Sequence, residues 1–547
     1  MRKIPSLLPI LASLSVAGQG TPTSLRPDIT VEHYMDVRSS VSRLAYDGVQ
    51  ERLWYLRTTG DVLAVIDNGV QSPYDTVFYS VADHGINEAY GMAFHDSDLF
   101  VVGNQVNGSL TQGLVKRARL QPDGTRMWST VAMTESYAWG GKAHGFNNVV
   151  VSPDGQFLYM NVGSRTDHGE VQDVNGEFPE LREEPITTKI LRVPYAAVDL
   201  LLPNNETQLL SNGQLFAWGV RNTYDMAFDA EGRLFGVENS GDHDDPEEMN
   251  WLREGHHYGF PWTAGGNLNP TLDPGYLPTA DPLLNPGFPS AATDFSYDPG
   301  FPSPPNMQFT EPIMNMGPDA DRLRSTNGSI LDASDSSTGI STFTCHRSPL
   351  GLVFDSHGVL DGDLNEDAFM LSFTPGGDST GFSPIAPWGI PVVPADPSED
   401  LLHLDLTYDA VADHYTLTAE RIIEGFYLPV DAELVGSTLY VIEYWTNTQR
   451  SLWKVNLPLI SSIAEEDPNA FQVSVFPNPT HDELQWRSNG NRVSSVEILS
   501  LQGQRVINEN RSSGSGSVDL SGLSEGVYFA RFQLAGSSVT KPFHIVR

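Results

Sequence analysis

The sequence predicts an all-β protein, a six-bladed β-propeller followed by a small C-terminal β-sandwich, and three observations carry that prediction. One hairpin-like pattern recurs six times between about residues 40 and 458. Gly and Pro are abundant, 49 and 38 of 547 residues, which suits a turn-rich all-β chain. No apolar period of helical spacing persists over a useful length.

The repeats share one grammar: apolar–polar alternation, a turn with Asp, Gly or Ser, then a second run of β-formers. The first is Ser42-Arg43-Leu44-Ala45-Tyr46-Asp47-Gly48 leading into Leu53-Trp54-Tyr55. Residues 91–96 into 99–102 and 148–155 into 157–159 follow the same order. The fourth is 225–229 with Gly232 into 234–237, the fifth 351–355 with Gly358 into 368–370, and the last 430–434 into 439–442. A lone hairpin is marginal in water, but radial repetition buries the faces between successive sheets. A β-sandwich is the structural alternative for such patterning. The longest insertion, Asn267 to Asp335, is Pro-rich, and in a propeller such insertions are loops at one end, where binding sites form.

Residues 1–20 read as a secretory signal, with Arg2 and Lys3, an apolar stretch from Leu7 to Val16, then Ala17, Gly18 and Gly20. The apolar stretch is shorter than the roughly 20 residues a bilayer span needs, and no later segment reaches that length. The mature protein is therefore expected to be soluble or attached only at its surface. Residues 21–460 form the expected propeller, 461–470 an acidic linker, and 471–547 a separate domain with strands near 473–476, 484–486, 493–499, 505–507, 527–534 and 543–546. With 32 Lys+Arg against 69 Asp+Glu, the net charge of -37 argues against nucleic acid or an anionic membrane as partner, since both need basic patches. Cys345 is the single cysteine, so no disulfide forms within the chain. In an extended strand Cys345 and His346 would point to opposite faces, which favours a buried structural thiol.

Chemistry concentrates in one stretch. Arg221-Asn222 presents a planar cation and an amide just before a strand, suited to carboxylate or carbonyl oxygens. After the next strand, Ser240-Gly241-Asp242-His243-Asp244-Asp245 is short, oxygen-rich and turn-forming, as a hard cation such as calcium requires, although a solvated acidic loop would look the same. His144 stands just before another strand, where a histidine is structural, at the surface, or a proton acceptor.

With Glu248-Met249-Asn250 and the closing Gly255-His256-His257-Tyr258-Gly259-Phe260-Pro261, this stretch resembles the glucose/sorbosone dehydrogenase family of six-bladed propellers. Further segments agree in order, among them Gly91-Met92-Ala93-Phe94-His95 and Pro349-Leu350-Gly351-Leu352-Val353-Phe354, so the resemblance covers roughly residues 40–458. Some members of the family oxidise sugars with pyrroloquinoline quinone (PQQ). The resemblance implies that His144 is the general base taking the hydroxyl proton while hydride moves to the quinone. It implies that Arg221, Asn222, His346 and Arg347 face the cofactor, and that Ser240, Gly241, Asp242 and Asp244 hold calcium. Two features depart from the family pattern. No Lys or Arg occurs from Phe373 to Pro391, where basic residues are expected for the three carboxylates of PQQ, and Ala89-Tyr90 stand where a glutamine is expected. The rival readings are a non-catalytic propeller binding carbohydrate or a protein, and a calcium-dependent hydrolase.

The last domain carries its own resemblance. Phe476-Pro477-Asn478-Pro479-Thr480, then 496–503, then Leu520-Ser521-Gly522-Leu523-Ser524-Glu525-Gly526-Val527-Tyr528 resemble the type IX secretion sorting domain of Bacteroidota. That resemblance implies passage through the type IX machinery, to a secreted or cell-surface location.

Overall fold

The computed structural model describes residues 21–284, 293–319, 323–324, 330–331, 340–376, 397–445, 448–459, 473–488, 492–500, 505–533 and 538–547. The expected signal, the linker and most of the Lys- and Arg-free stretch after Phe373 lie outside these residues. The chain divides into two compact units, Met1–Ile460 and Ser461–Arg547.

The first unit is a six-bladed propeller. Its six blade sheets begin with the inner strands Val41–Asp47, Glu88–His95, Phe146–Val151, Thr223–Phe228, Pro349–Phe354 and Pro429–Val435, numbered here as blades 1 to 6. Each inner strand falls on one of the six sequence repeats. Successive inner strands pack against each other, and the last returns to the first, closing the ring. Blade 6 is completed by Thr30–Val37, which pairs antiparallel with Arg450–Asn456. The two ends of the propeller are thus joined within one sheet.

Each interface between neighbouring blades is its own hydrophobic cluster. Trp54 and Leu56 of blade 1 meet Met92 and Val101 of blade 2. Phe100 and Val115 meet Phe146 and Leu158, while Tyr159 and Ile190 meet Met226 and Leu234. Phe235 and Val237 pack on Leu352 and Met370, Phe369 and Leu371 on Ala432 and Val441, and Ile442 and Val430 on Leu44 and Tyr55. A large apolar side chain buried in this way contributes about 1.5–3 kcal/mol.

The axis is not an open tube. Arg43 of blade 1, 4 % exposed, lies across it. Its Nε donates to the carbonyl of Tyr90 at 3.2 Å, and its Nη2 to the carbonyls of Asn147 and Tyr224, both at 2.9 Å. Nη1 is 3.0 Å from Asp225 and 3.4 Å from Asp431. This plug separates two cavities of about 440 Å³ each: one at the start of the inner strands, with Asn222, Tyr224 and Tyr444, and one at their far ends, with Phe94, Phe228 and Glu433.

Burial, together with the neighbouring Asp431, pushes Glu433 up to about 8. Because the folded value lies above the unfolded one, its stabilising contribution is complete below about pH 4.5 and is lost as pH rises through about 8. Glu433→Gln should therefore melt higher than the parent at the top of that window and match it at the bottom. A parallel offset at both ends would show that the titration of Glu433 is not the cause.

The second unit is a β-sandwich. Val473–Phe476, Glu483–Ser488 and Ser515–Asp519 form one sheet; Arg505–Ser513, Val493–Ser500, Gly526–Gln533 and Ser538–Ile545 form the other. Leu484, Trp486 and Val518 from the first sheet pack on Val496, Ile498 and Phe532 from the second. Ser515–Asp519 was not expected, because Val518 is its only apolar residue.

Candidate active site

His144 lies in the loop before the inner strand of blade 3, partly buried. Its Nδ1 is 3.3 Å from both the carbonyl oxygen and the hydroxyl of Ser164. That hydroxyl donates its proton to the Thr166 carbonyl at 2.7 Å, and a carbonyl can only accept. Both contacts therefore require Nδ1 to carry the hydrogen, which leaves Nε2 with an open lone pair. Among the described residues Nε2 makes no hydrogen bond. Burial first, and Arg221 second, hold the imidazole down at about 3, so the ring is neutral at physiological pH.

Gly163 fixes the position of His144. A Cβ there would come within 2.5 Å of the His144 Cβ and 3.2 Å of the Arg221 carbonyl. Gly163→Ala should fold, displace the imidazole and reduce turnover on the order of 10²-fold, since a misplacement of about 1 Å has that effect. Unaltered turnover with a normal melting curve would remove His144 from the chemistry.

Arg221 and Asn222 are both buried. The Arg221 Nε donates to the Asp167 carbonyl at 2.7 Å, Nη2 to the Asp167 carboxylate at 2.9 Å, and Nη1 to the Asn239 carbonyl at 3.0 Å. Asp167 is held below the usual carboxylate range by His168, Arg221 and Lys142, despite its burial. Asn222 belongs to a chain of amides: Asn161 donates to Asn147 at 2.6 Å, Asn147 to Asn222 at 2.6 Å, and Asn222 to Asn239 at 2.8 Å. Asn222 and Asn239, with Tyr90, Tyr224, Phe373 and Tyr444, line the cavity at this mouth. Sequence reasoning missed Asp167, Asn147, Asn161, Ser164 and Gly163: Gly163 and Ser164 meet His144 across the blade 3 hairpin, while Asn147 and Asp167 reach Asn222 and Arg221 of blade 4.

Asp242 and Asp244 turn to different partners. Asp242 pairs with Lys142 at 2.8 Å, and its amide donates to Asp167 at 3.1 Å. Asp244 pairs with His346 at 2.8 Å. Lys142, Arg221, Asp242, Asp244 and His346 thus gather around the same end of blades 3 to 5. Arg347 does not join them. Fully buried, it is paired with Asp319 at 2.9 Å and Asp400 at 3.1 Å, and bonds Ser372 at 3.0 Å. His346 also departs from the extended conformation expected for it, with φ 65°.

Residues 94–271 match the family model described as Glucose / Sorbosone dehydrogenase, and residues 474–546 match the one described as Secretion system C-terminal sorting domain. The propeller contains a glucose/sorbosone dehydrogenase segment, and the second unit is a sorting domain. The glucose/sorbosone dehydrogenase segment holds His144, Arg221, Asn222 and the acidic turn. No curated protein matches this sequence. Among solved structures, similar ones include the apo soluble aldose sugar dehydrogenase from Escherichia coli, 13% identical over 78% of this chain and 99% of that one, TM-score 0.46. Another is the holo PQQ domain of pyranose dehydrogenase from Coprinopsis cinerea, 12% identical over 80% and 99%, TM-score 0.47. A third is the PQQ-bound aldose sugar dehydrogenase from Streptomyces coelicolor, 14% identical over 79% and 99%, TM-score 0.43. Among the described residues no helix is long and apolar enough to cross a membrane.

Proposed function

We propose that this protein is an exported sugar dehydrogenase that removes the proton of a sugar hydroxyl with His144. The observation carrying this reading is the tautomer: Nδ1–H is anchored on Ser164, and the neutral ring keeps its lone pair on Nε2. An unprotonated imidazole held by its other nitrogen is the form a general base needs. As the hydroxyl proton passes to Nε2, hydride must leave the same carbon for a two-electron acceptor.

A bound PQQ would supply that acceptor. The mouth cavity of about 440 Å³ is within the usual range for small-molecule sites, and its aromatic and amide wall suits a flat conjugated group. Asn222, Asn239, Tyr90, Tyr224, Phe373 and Tyr444 would contact its rings, but the cavity lining offers no Lys or Arg to its three carboxylates and does not include His144. Calcium fits less well. Of its four expected donors, Asp242 turns to Lys142 and Asp244 to His346. The remaining carbonyls of Ser240 and Gly241 fall short of the six to eight oxygens, roughly, that calcium takes. No step is assigned to it.

The second reading, a non-catalytic carbohydrate- or protein-binding propeller, is favoured by a separate observation. Arg221 and Lys142, the cations beside His144, already hold protein carboxylates. Dye reduction with a panel of aldoses, after adding PQQ, separates the two. Reduction that depends on sugar and quinone supports the dehydrogenase. Sugar binding without quinone binding or reduction supports the second reading. The sorting domain is consistent with export by the type IX route, to a secreted or surface-held state, whichever holds.

A further inference from the structure

We propose that Asp244, Cys345 and His346 form, beside the Glu247 carboxylate, a buried site for a divalent transition metal of the zinc class. The donor atoms of Asp244, Cys345 and His346 all lie within 4.8 Å of one another. All four side chains are buried, with exposures of 2%, 3%, 6% and 2% for Asp244, Cys345, His346 and Glu247. They come from two segments far apart in sequence, one following the second strand of blade 4 and one leading into the inner strand of blade 5. Glu247 and Phe343 hold those segments in register, each amide donating to the other's carbonyl at 3.0 Å.

The local backbone explains why sequence reasoning separated the thiol from the imidazole. Neighbours on an extended strand face opposite ways. The left-handed conformation of His346, φ 65°, breaks that alternation, so Cys345 and His346 both reach Asp244.

Glu247 is an independent pointer to a ligand. Its Oε2 is buried and makes no hydrogen bond of good geometry, although the amides of Ser240 and Ser348 lie near the carboxylate. The same carboxylate interacts electrostatically with His346. A buried carboxylate oxygen so poorly satisfied favours positive charge close by, which a metal held by the three donors would supply.

The donor chemistry selects the metal. Thiolate, imidazole and carboxylate together are the ligands of zinc and its neighbours, whereas calcium takes oxygens alone. Zinc bonds of about 2.0–2.3 Å place donors roughly 3–4 Å apart, so small side-chain shifts would close the site. The 2.8 Å hydrogen bond between His346 Nε2 and Asp244 would open, the thiol would lose its proton, and the imidazole would bind in its neutral form. With its three donors drawn from two blades, such a site would be a structural clamp between blades 4 and 5. It is independent of the proposed sugar oxidation.

Cobalt(II) is the probe. The purified full-length protein is loaded with cobalt, gel-filtered, and read by metal analysis and absorption spectroscopy. About one equivalent should be retained per chain, with a thiolate-to-cobalt charge-transfer band in the near ultraviolet. Zinc should displace the band and raise the melting temperature, while calcium should do neither. Cys345→Ser should lose the band, and His346→Gln should retain less metal. No retained cobalt, cobalt without the thiolate band, or an unaltered spectrum in Cys345→Ser would each overturn the proposal. Where a variant fails to fold, the spectrum of the parent protein decides.

Discussion

Replacing Arg43 with Met should destabilise the propeller by about 3–5 kcal/mol, the usual result of removing one partner from a buried ion pair. Arg43 belongs to blade 1 and bonds carbonyls of blades 2, 3 and 4 through Tyr90, Asn147 and Tyr224. Its acidic partners extend the connection. Asp225 accepts from the Leu352 amide of blade 5 at 2.8 Å, and Asp431 of blade 6 accepts from the Leu44 amide at 2.6 Å. One guanidinium thus ties all six blades together at the axis. Without it, two buried carboxylates face each other, and burial already pushes Asp431 up to about 7. Urea unfolding should show a lower midpoint with an unchanged slope. Adding Asp431→Asn should recover part of the loss, since it removes one stranded charge. A loss below about 1 kcal/mol, or no recovery in the double variant, would show that the plug is not what holds the ring.

His144→Gln should lower kcat on dye reduction by about 10²–10⁴-fold, the range for loss of a general base, with KM little changed. Glutamine can still meet Ser164 but offers no basic nitrogen, so binding should persist while proton removal fails. Because His144 is held at about 3, the parent should show no loss of rate from its protonation between pH 5 and 8. A rate that falls on acidification with an apparent value near 6.5 would instead mean that the imidazole is freely solvated. Full activity in His144→Gln would move the base elsewhere and return the mouth cavity to a binding role.

The fold was legible because its physics is local. Each blade announces itself through an inner hairpin whose alternation and turn residues lie within about twenty positions, and all six reappear as inner strands. Thr30–Val37 carries the same alternation, but without a hairpin partner nearby its role as the closing strand of blade 6 depends on pairing with Arg450–Asn456, more than 400 residues away. Ser515–Asp519 escaped for a different reason, since its sheet position is set by its neighbours rather than by its own polar composition.

The site divides along the same line. The sequence by itself determined which residue types are present: an imidazole before one strand, an Arg-Asn pair before another, an acidic turn after the next. Only the tertiary structure decided their states, because hydrogen-bond partners and burial are non-local. Ser164 sets the His144 tautomer, Asp167 engages Arg221, Lys142 takes Asp242, and Asp319 and Asp400 draw Arg347 away from the mouth. A single backbone angle at His346 placed Cys345 and His346 beside Asp244, a meeting that strand alternation argues against and that only the folded chain could show.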